Sequence, residues 1–336
     1  MLFYMLSLFT GVLECGWILK GVVQGFPLWQ ILCFPLAYHL GNLFPKPFSL
    51  GKWELFGLSA VSASLGLFMI FDKDDNFFFI CLCLFCLSAC MQSVRSDLKS
   101  DGNRLLKRVF RVSGFFFALS AIYFSEWILL AFSFFMMFVI FKNYNKKSGI
   151  SRFHGQGGFS AVMLFHQLHY FFYAHITLLT MAQKIGILWA VFLFCGTWLT
   201  YMSVEPLVSR LTSRVQPVFY MGHIGICLLL FVLHFVENRA LFAALWLVTG
   251  FGGGVVYTIS EKAKSVKSFD KDSMTISENI GHTSGLLTAV CVSVMFGADS
   301  PKIMLLFGSA SALLAVITMF LISGKEKFYE INKNKC

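Results

Sequence analysis

The chain has 336 residues, of which 57% are hydrophobic and only 13% are charged, and its mean hydropathy is +0.73. Soluble domains carry roughly 25% charged residues, so this composition excludes an ordinary soluble domain and indicates an integral membrane protein. The net charge of +10 does not indicate nucleic-acid binding, because the basic residues are dispersed over short loops and form no single patch.

Long apolar runs recur along the whole chain. A helix needs about 20 apolar residues to cross the hydrocarbon core of a bilayer, whereas a membrane β-barrel shows alternation of polar and apolar positions. The unbroken runs therefore predict an all-α membrane protein with twelve transmembrane helices. The predicted spans are residues 3–23, 26–44, 53–71, 76–94, 106–124, 126–141, 157–181, 185–203, 216–236, 239–259, 279–297 and 302–323.

The distribution of basic residues predicts the orientation of these spans. Of the 27 Lys and Arg residues, 22 fall on the side of the membrane that this map assigns to both termini. Cytoplasmic loops carry an excess of Lys and Arg, so we expect the N- and C-termini to be cytoplasmic. The other side holds five basic residues, which are Lys20, Lys73, Lys184, Arg239 and Lys302.

The spans divide into two sets of six. We predict an N-terminal six-helix bundle over residues 1–144, a basic cytoplasmic linker at 145–156, a C-terminal six-helix bundle over 157–324 and a cytoplasmic tail at 325–336. Many secondary transporters consist of two such halves, with the substrate site near the midplane at the interface of the halves. A site of this kind is expected here.

A short loop after the eighth span carries a motif-like pattern. The segment EPLVSRLTSRVQPVFYMG at 205–222 contains an acidic residue, two basic residues and a closing glycine, which are Glu205, Arg210, Arg214 and Gly222. The corresponding segment of the first half, at 41–57, lacks the acidic residue but keeps Gly41, Lys46, Lys52 and Gly57.

With its span number, orientation and division into halves, the chain resembles the major facilitator superfamily of transporters over nearly its whole length. The resemblance implies that Glu205, Arg210 and Arg214 belong to a gating loop that locks neighbouring helices together. Arg95 and Arg111, which flank the fourth and fifth spans on the cytoplasmic side, are further gating candidates, and an Arg at this depth could also meet an anionic solute.

The seventh span contains the polar stretch FHQLHYFFYAH at 165–175. At about 100° per residue, a regular helix places five hydrogen-bonding side chains on one stripe, with Gln167 beside it and His175 on the opposite face. Lipid cannot satisfy these groups, so the stripe must face other helices or water. The five residues are His166, His169, Tyr170, Tyr173 and Thr177.

Three interpretations of the stripe stay open. It could line a solute cavity, with Gln167 as an additional contact, or it could be a structural hydrogen-bond network between helices. A third interpretation is a metal site, because His166 and His169 are three residues apart on one helix face and Met163 lies one step further along.

Glu14 is the only acidic residue well inside the first span. A carboxylate at membrane depth is costly and marks an ion path or a paired partner. We predict that Glu14 carries the coupling proton, and the alternative is a salt bridge.

These observations predict a secondary transporter of the bacterial inner membrane rather than an enzyme. We expect a monomer that needs no cofactor and uses alternating access and protons to export a small organic metabolite or drug-like compound, including a metal-chelating one. The alternatives are a transporter of a transition-metal ion or complex that uses the span 7 histidines, a haem- or metal-binding membrane redox protein, and a transporter-like sensor without transport.

Overall fold

The computed structural model describes residues 2–43, 77–97, 104–124, 157–210, 215–265 and 271–323, together with residues 127, 131, 134, 135 and 138. These residues are helical apart from short turns, which confirms the all-α prediction. The helices are α1 Leu2–Gln24, α2 Leu28–Asn42, α3 Phe77–Asp97, α4 Arg104–Tyr123, α5 Gly157–Phe171, α6 Thr177–Ile185, α7 Ile187–Arg210, α8 Val215–Phe235, α9 Arg239–Ser265, α10 Lys271–Phe296 and α11 Ser300–Ser323.

The observed helices overlap predicted spans wherever the structure describes the chain, but α7 continues seven residues beyond its predicted end at 203 and α10 begins eight residues before its predicted start at 279. A π-helical segment, Phe172–Ile176, joins α5 to α6, and the three elements together match the seventh span. The third predicted span, 53–71, lies outside the described residues, and only isolated residues of the sixth, 126–141, are described.

Several of these helices are long and apolar enough to cross a membrane. Among the described residues the qualifying stretches are Tyr4–Gln24, Ile187–Val208, Pro217–Phe235, Arg239–Val256 and Ile276–Ile322, the last of which covers most of α10 and α11. Large apolar side chains also point outward, as Phe320 at 70% exposure and Trp189 at 62% illustrate. Outward-facing side chains of this kind suit contact with lipid, and the chain is a multi-pass membrane protein.

The chain divides into two compact units, Met1–Ile150 and Ser151–Cys336. Within the first unit, α1 packs against α4 and α2 packs against α3. Within the second unit, α5 packs against α10 and α7 packs against α9. In terms of predicted spans, each unit therefore pairs its first helix with its fifth and its second with its fourth, so the two halves repeat one packing plan.

Glycines allow the backbones to touch at all four of these crossings. A Cβ atom at Gly11 of α1 would overlap the carbonyl oxygen of Arg111 in α4, and one at Gly41 of α2 would overlap that of Phe85 in α3. In the second unit, a Cβ at Gly250 of α9 would overlap Thr200 of α7. Small residues drive helix association in membranes because they permit this close approach.

The crossing that positions the polar stretch of α5 depends on Gly281 in α10. A Cβ at Gly281 would overlap the carbonyl oxygen of Leu164 and would lie 3.0 Å from the Cβ of Gln167. Because a backbone oxygen cannot rotate away, any side chain at this position would push α5 and α10 apart.

We predict that Gly281→Ala destabilises the protein by about 1–3 kcal/mol, the usual cost of overpacking. Gly225→Ala is the matched control, because a Cβ at Gly225 would meet no atom within 4 Å. Thermal unfolding in detergent should show a lower midpoint for Gly281→Ala and an unchanged or slightly higher one for Gly225→Ala, since alanine favours helix. Equal midpoints for the two variants would contradict the assigned crossing.

Candidate functional site

The π-helical segment changes the helical face predicted for the end of the seventh span. A π turn inserts an extra residue into the α-helical ladder and rotates everything after it by roughly 100°. Thr177 follows the segment, so on the helical wheel it takes the angle of a residue one position earlier, which places it beside His169 and still within the predicted stripe. It is fully buried, and its hydroxyl donates to the carbonyl oxygen of Ala174 at 3.4 Å. His175 lies within the segment and is also buried.

The two histidines at the start of the stripe meet a third histidine from another helix. His166 and His169 of α5 face His223 of α8. The ring centroids are 5.1 Å apart for His166 and His169, 5.4 Å for His166 and His223, and 5.0 Å for His169 and His223. One ring nitrogen from each residue lies within 4.8 Å of those of the other two. We call His166, His169 and His223 the histidine cluster.

The cluster is buried, since its members are 3%, 0% and 0% exposed. It lies in α5 and α8 beside an apolar group of buried side chains from four helices of the second unit. These side chains are Val162 and Met163 of α5, Val204 and Val208 of α7, Phe219 of α8 and Met319 of α11. The Phe219 ring stacks on His223 with centroids 4.0 Å apart.

Backbone carbonyls fix the tautomers of two cluster members. The Nδ1 atom of His169 lies 3.2 Å from the carbonyl oxygen of Phe165, and that of His223 lies 3.0 Å from that of Phe219. A carbonyl oxygen can only accept, so each Nδ1 carries the proton and donates it. In the neutral rings, the Nε2 atoms of His169 and His223 therefore carry lone pairs.

His223 is not among the site residues that the sequence analysis predicts. The sequence feature that could have revealed His223 is its depth within the predicted ninth span. His166 lies nine residues into the predicted seventh span and His223 lies seven residues into the ninth, and both spans start on the same side of the membrane in the predicted map. Histidines at similar depth in two helices of one half can meet if those helices lie side by side.

Glu14 forms an ion pair with Arg111 across the α1–α4 crossing. The Nε–H group of Arg111 donates to Oε2 of Glu14 at 2.8 Å, and its Nη2 group contacts Oε1. The Glu14 side chain is 11% exposed and the Arg111 side chain is 27% exposed. Glu14 therefore forms the salt bridge that the sequence analysis gave as its alternative role. A bidentate pair between an arginine and a carboxylate has a specific geometry.

The other predicted gating residues are only partly described. Glu205 and Arg210 lie in the last turns of α7, and Arg95 lies in α3. The side chains of these three residues are outside the described part of the structure. Arg214 lies outside the described residues altogether. Gly222, the closing glycine of the motif, sits in α8, where a Cβ would lie 2.9 Å from Val255 of α9. The side chains of Tyr170 and Tyr173 are likewise outside the described part, and Gln167 is partly buried.

Comparison with solved structures identifies the fold. A nucleoside transporter, NupG, superposes with a TM-score of 0.71 and 12% sequence identity over 97% of this chain and 98% of that chain. The chain therefore has the fold of this transporter. A proton-dependent oligopeptide (POT) family transporter gives a TM-score of 0.64 at 12% identity, over 95% of this chain and 100% of that chain.

A POT family peptide transporter described as auto-inhibited gives a TM-score of 0.60 at 11% identity, over 96% of both chains. No protein-family model and no curated protein matches the sequence. The structural matches confirm the predicted transporter fold.

We predict that the Glu14–Arg111 pair stabilises the first unit. Glu14→Gln and Arg111→Gln should each lower the free energy of unfolding by about 1–3 kcal/mol, because each leaves one charged partner without its counterion. The double variant should lose less than the sum of the single losses. Unfolding of the four proteins in detergent measures this coupling.

Glu237→Gln provides the control. Glu237 pairs with Lys302 at 3.4 Å, but the two side chains are 84% and 50% exposed, so breaking this pair should cost little. Strictly additive effects of Glu14→Gln and Arg111→Gln would contradict a direct pair.

Proposed function

We propose that the chain is a secondary transporter that moves a small organic solute across the inner membrane of a bacterium by alternating access. The observation that carries this proposal is the shared fold with a nucleoside transporter and an oligopeptide transporter. Each match covers almost the full length of both chains. The repeated packing plan of the two units supports it, because transporters of this kind are commonly built from structural repeats.

The proposed driving force is the proton gradient, and the proposed direction is export. Glu14 is the proposed proton carrier. Protonation of its carboxylate would remove the charge that Arg111 balances and would weaken the α1–α4 contact. A proton at this position would thereby change a helix–helix contact, which is what coupling requires.

The proposed solute contacts are on α5 and the segment that follows it. Gln167, Tyr170 and Tyr173 keep this role on the basis of the sequence pattern. His166 and His169 were predicted for the same role, but their rings face His223, so we assign them to the histidine cluster. Glu205, Arg210, Arg214 and Arg95 remain proposed gating residues, whereas Arg111 is assigned to the pair with Glu14.

A transition-metal ion as cargo is the second candidate, and the histidine cluster favours it. Imidazole nitrogens suit Zn²⁺, Cu²⁺ and Ni²⁺. The burial of all three rings, however, argues against this candidate, because it favours an ion that is retained over one that enters and leaves in each cycle. Haem ligation by these residues is disfavoured, because rings with centroids 5.0–5.4 Å apart leave no space for a porphyrin between them.

The test of the proposal is solute flux in proteoliposomes. The protein is reconstituted, a pH gradient is imposed, and a panel of nucleosides, di- and tripeptides, amphipathic drug-like cations and organic-acid chelators is followed by mass spectrometry. We predict accumulation of at least one solute class against its gradient, and abolition of that accumulation by a protonophore. Flux of Co²⁺ without any organic solute would favour the second candidate.

Glu14→Gln separates coupling from binding. The variant keeps the size of the side chain but cannot titrate, so it should lose pH-driven accumulation and keep solute counterflow. The double variant Glu14→Gln/Arg111→Gln controls for the broken ion pair and should behave like the single variant. Full gradient-driven accumulation by Glu14→Gln would contradict the proton role of Glu14.

A further inference from the structure

We propose that the histidine cluster binds one divalent transition-metal ion, which bridges α5 and α8 within the second unit. The inference goes beyond solute transport and does not depend on it. It starts from the meeting of three buried imidazole rings from two helices in a membrane-embedded bundle.

The donor set determines which metals fit. All three ligands are imidazoles, and three His ligands with an open fourth position form a common zinc arrangement. Calcium and magnesium take oxygen ligands, so they do not suit this cluster. The expected ions are therefore Zn²⁺, Co²⁺, Ni²⁺ and Cu²⁺.

The geometry is close to that of a bound site. A Zn–N bond of 2.0–2.1 Å in a tetrahedral arrangement places the ligand nitrogens about 3.4 Å apart. The three nitrogens of the cluster now lie within 4.8 Å of one another. Closing this difference requires each nitrogen to move by less than about 1 Å towards the ion, a shift of the size that rotation of a ring about its side-chain bonds supplies.

The tautomers are already those of metal ligands. A metal-binding histidine usually donates its second ring N–H to a carbonyl or carboxylate, which orients the ring and raises its basicity. Phe165 and Phe219 supply carbonyl oxygens of this kind to the Nδ1–H groups of His169 and His223. The ion would therefore bind at the Nε2 atoms of these two residues.

The surroundings give an independent reason to expect a ligand. The Nε2 atom of His223 is buried, and no group in the described part of the chain forms a hydrogen bond with it. A buried nitrogen without a hydrogen bond is unfavourable, because it has lost its contact with water and gained no partner. A metal ion would satisfy this lone pair beside the apolar ring of Phe219.

The proposed ion would link two helices that have different main neighbours. α5 packs against α10 and α11, whereas α8 packs against α9 and α11. A metal bridge between α5 and α8 would therefore add a direct bond between helices that otherwise meet mainly through α11. Metal binding should consequently raise the thermal stability of the second unit.

Cobalt binding by the full chain in detergent tests the proposal. The protein is purified without a polyhistidine tag, stripped with a chelator and titrated with Co²⁺. We predict one equivalent of Co²⁺ per chain, visible absorption bands typical of tetrahedral coordination, and a higher unfolding midpoint that Zn²⁺ also produces. His223→Ala should weaken binding by more than about 100-fold, since even second-shell changes cost 10–100-fold.

Two further variants keep the test decisive. His234→Ala removes a histidine from the same helix, where Nδ1 of His234 contacts the carbonyl oxygen of Lys302 and lies outside the cluster, so it should bind Co²⁺ like the native protein. His223→Cys replaces one zinc ligand by another and should retain binding with a shifted spectrum.

The proposal is overturned if the native protein takes up no Co²⁺, or if His223→Ala and His234→Ala bind it equally. Because binding is measured in detergent without a gradient, a failure of the transport assay leaves this result unaffected. Conversely, a chain that transports solute but binds no Co²⁺ would refute the metal site and leave the proposed function intact.

Discussion

Backbone contact between helices at glycine positions is the constraint on which the rest of the structure depends. Lipid offers no hydrophobic drive for helices to associate, so packing must come from close van der Waals contact and polar links. The α1–α4, α2–α3, α5–α10 and α7–α9 crossings all have a glycine where the neighbouring backbone arrives. The same plan in both units indicates that one packing solution is used twice.

This packing determines where polar side chains can be placed at membrane depth. The Glu14–Arg111 pair spans the crossing that Gly11 and Gly114 bring together, so a carboxylate and a guanidinium meet instead of facing lipid. In the second unit, Gly281 holds α10 against α5, next to the turn that carries His166 and His169. The two polar groups proposed for coupling and for metal binding thus both lie at or beside tight crossings.

Hydropathy was sufficient to predict the helical class and the approximate position of most described helices, because the bilayer sets helix length and polarity directly. It could not predict the π-helical segment at Phe172–Ile176, since a π turn depends on packing rather than on local sequence.

Partners that lie far apart in sequence were also beyond the reach of sequence patterns. His166 and His169 were recognised through their spacing on one helix, but His223 joins them through tertiary packing. Glu14 was singled out as a buried carboxylate, whereas the identity of Arg111 as its partner needed the α1–α4 crossing. Spacing rules apply within a helix, and contacts between helices require the fold.

The most direct test of the central claim, solute movement coupled to protons, is the transient current on a solid-supported membrane carrying proteoliposomes. Rapid addition of a solute of the correct class at equal pH on both sides should produce a solute-dependent current in native protein, and this current should shrink strongly in Glu14→Gln. The account would be contradicted if, for every solute class, the current were no larger than that of protein-free liposomes. The unfolding midpoint of the reconstituted protein must show in this case that it is intact.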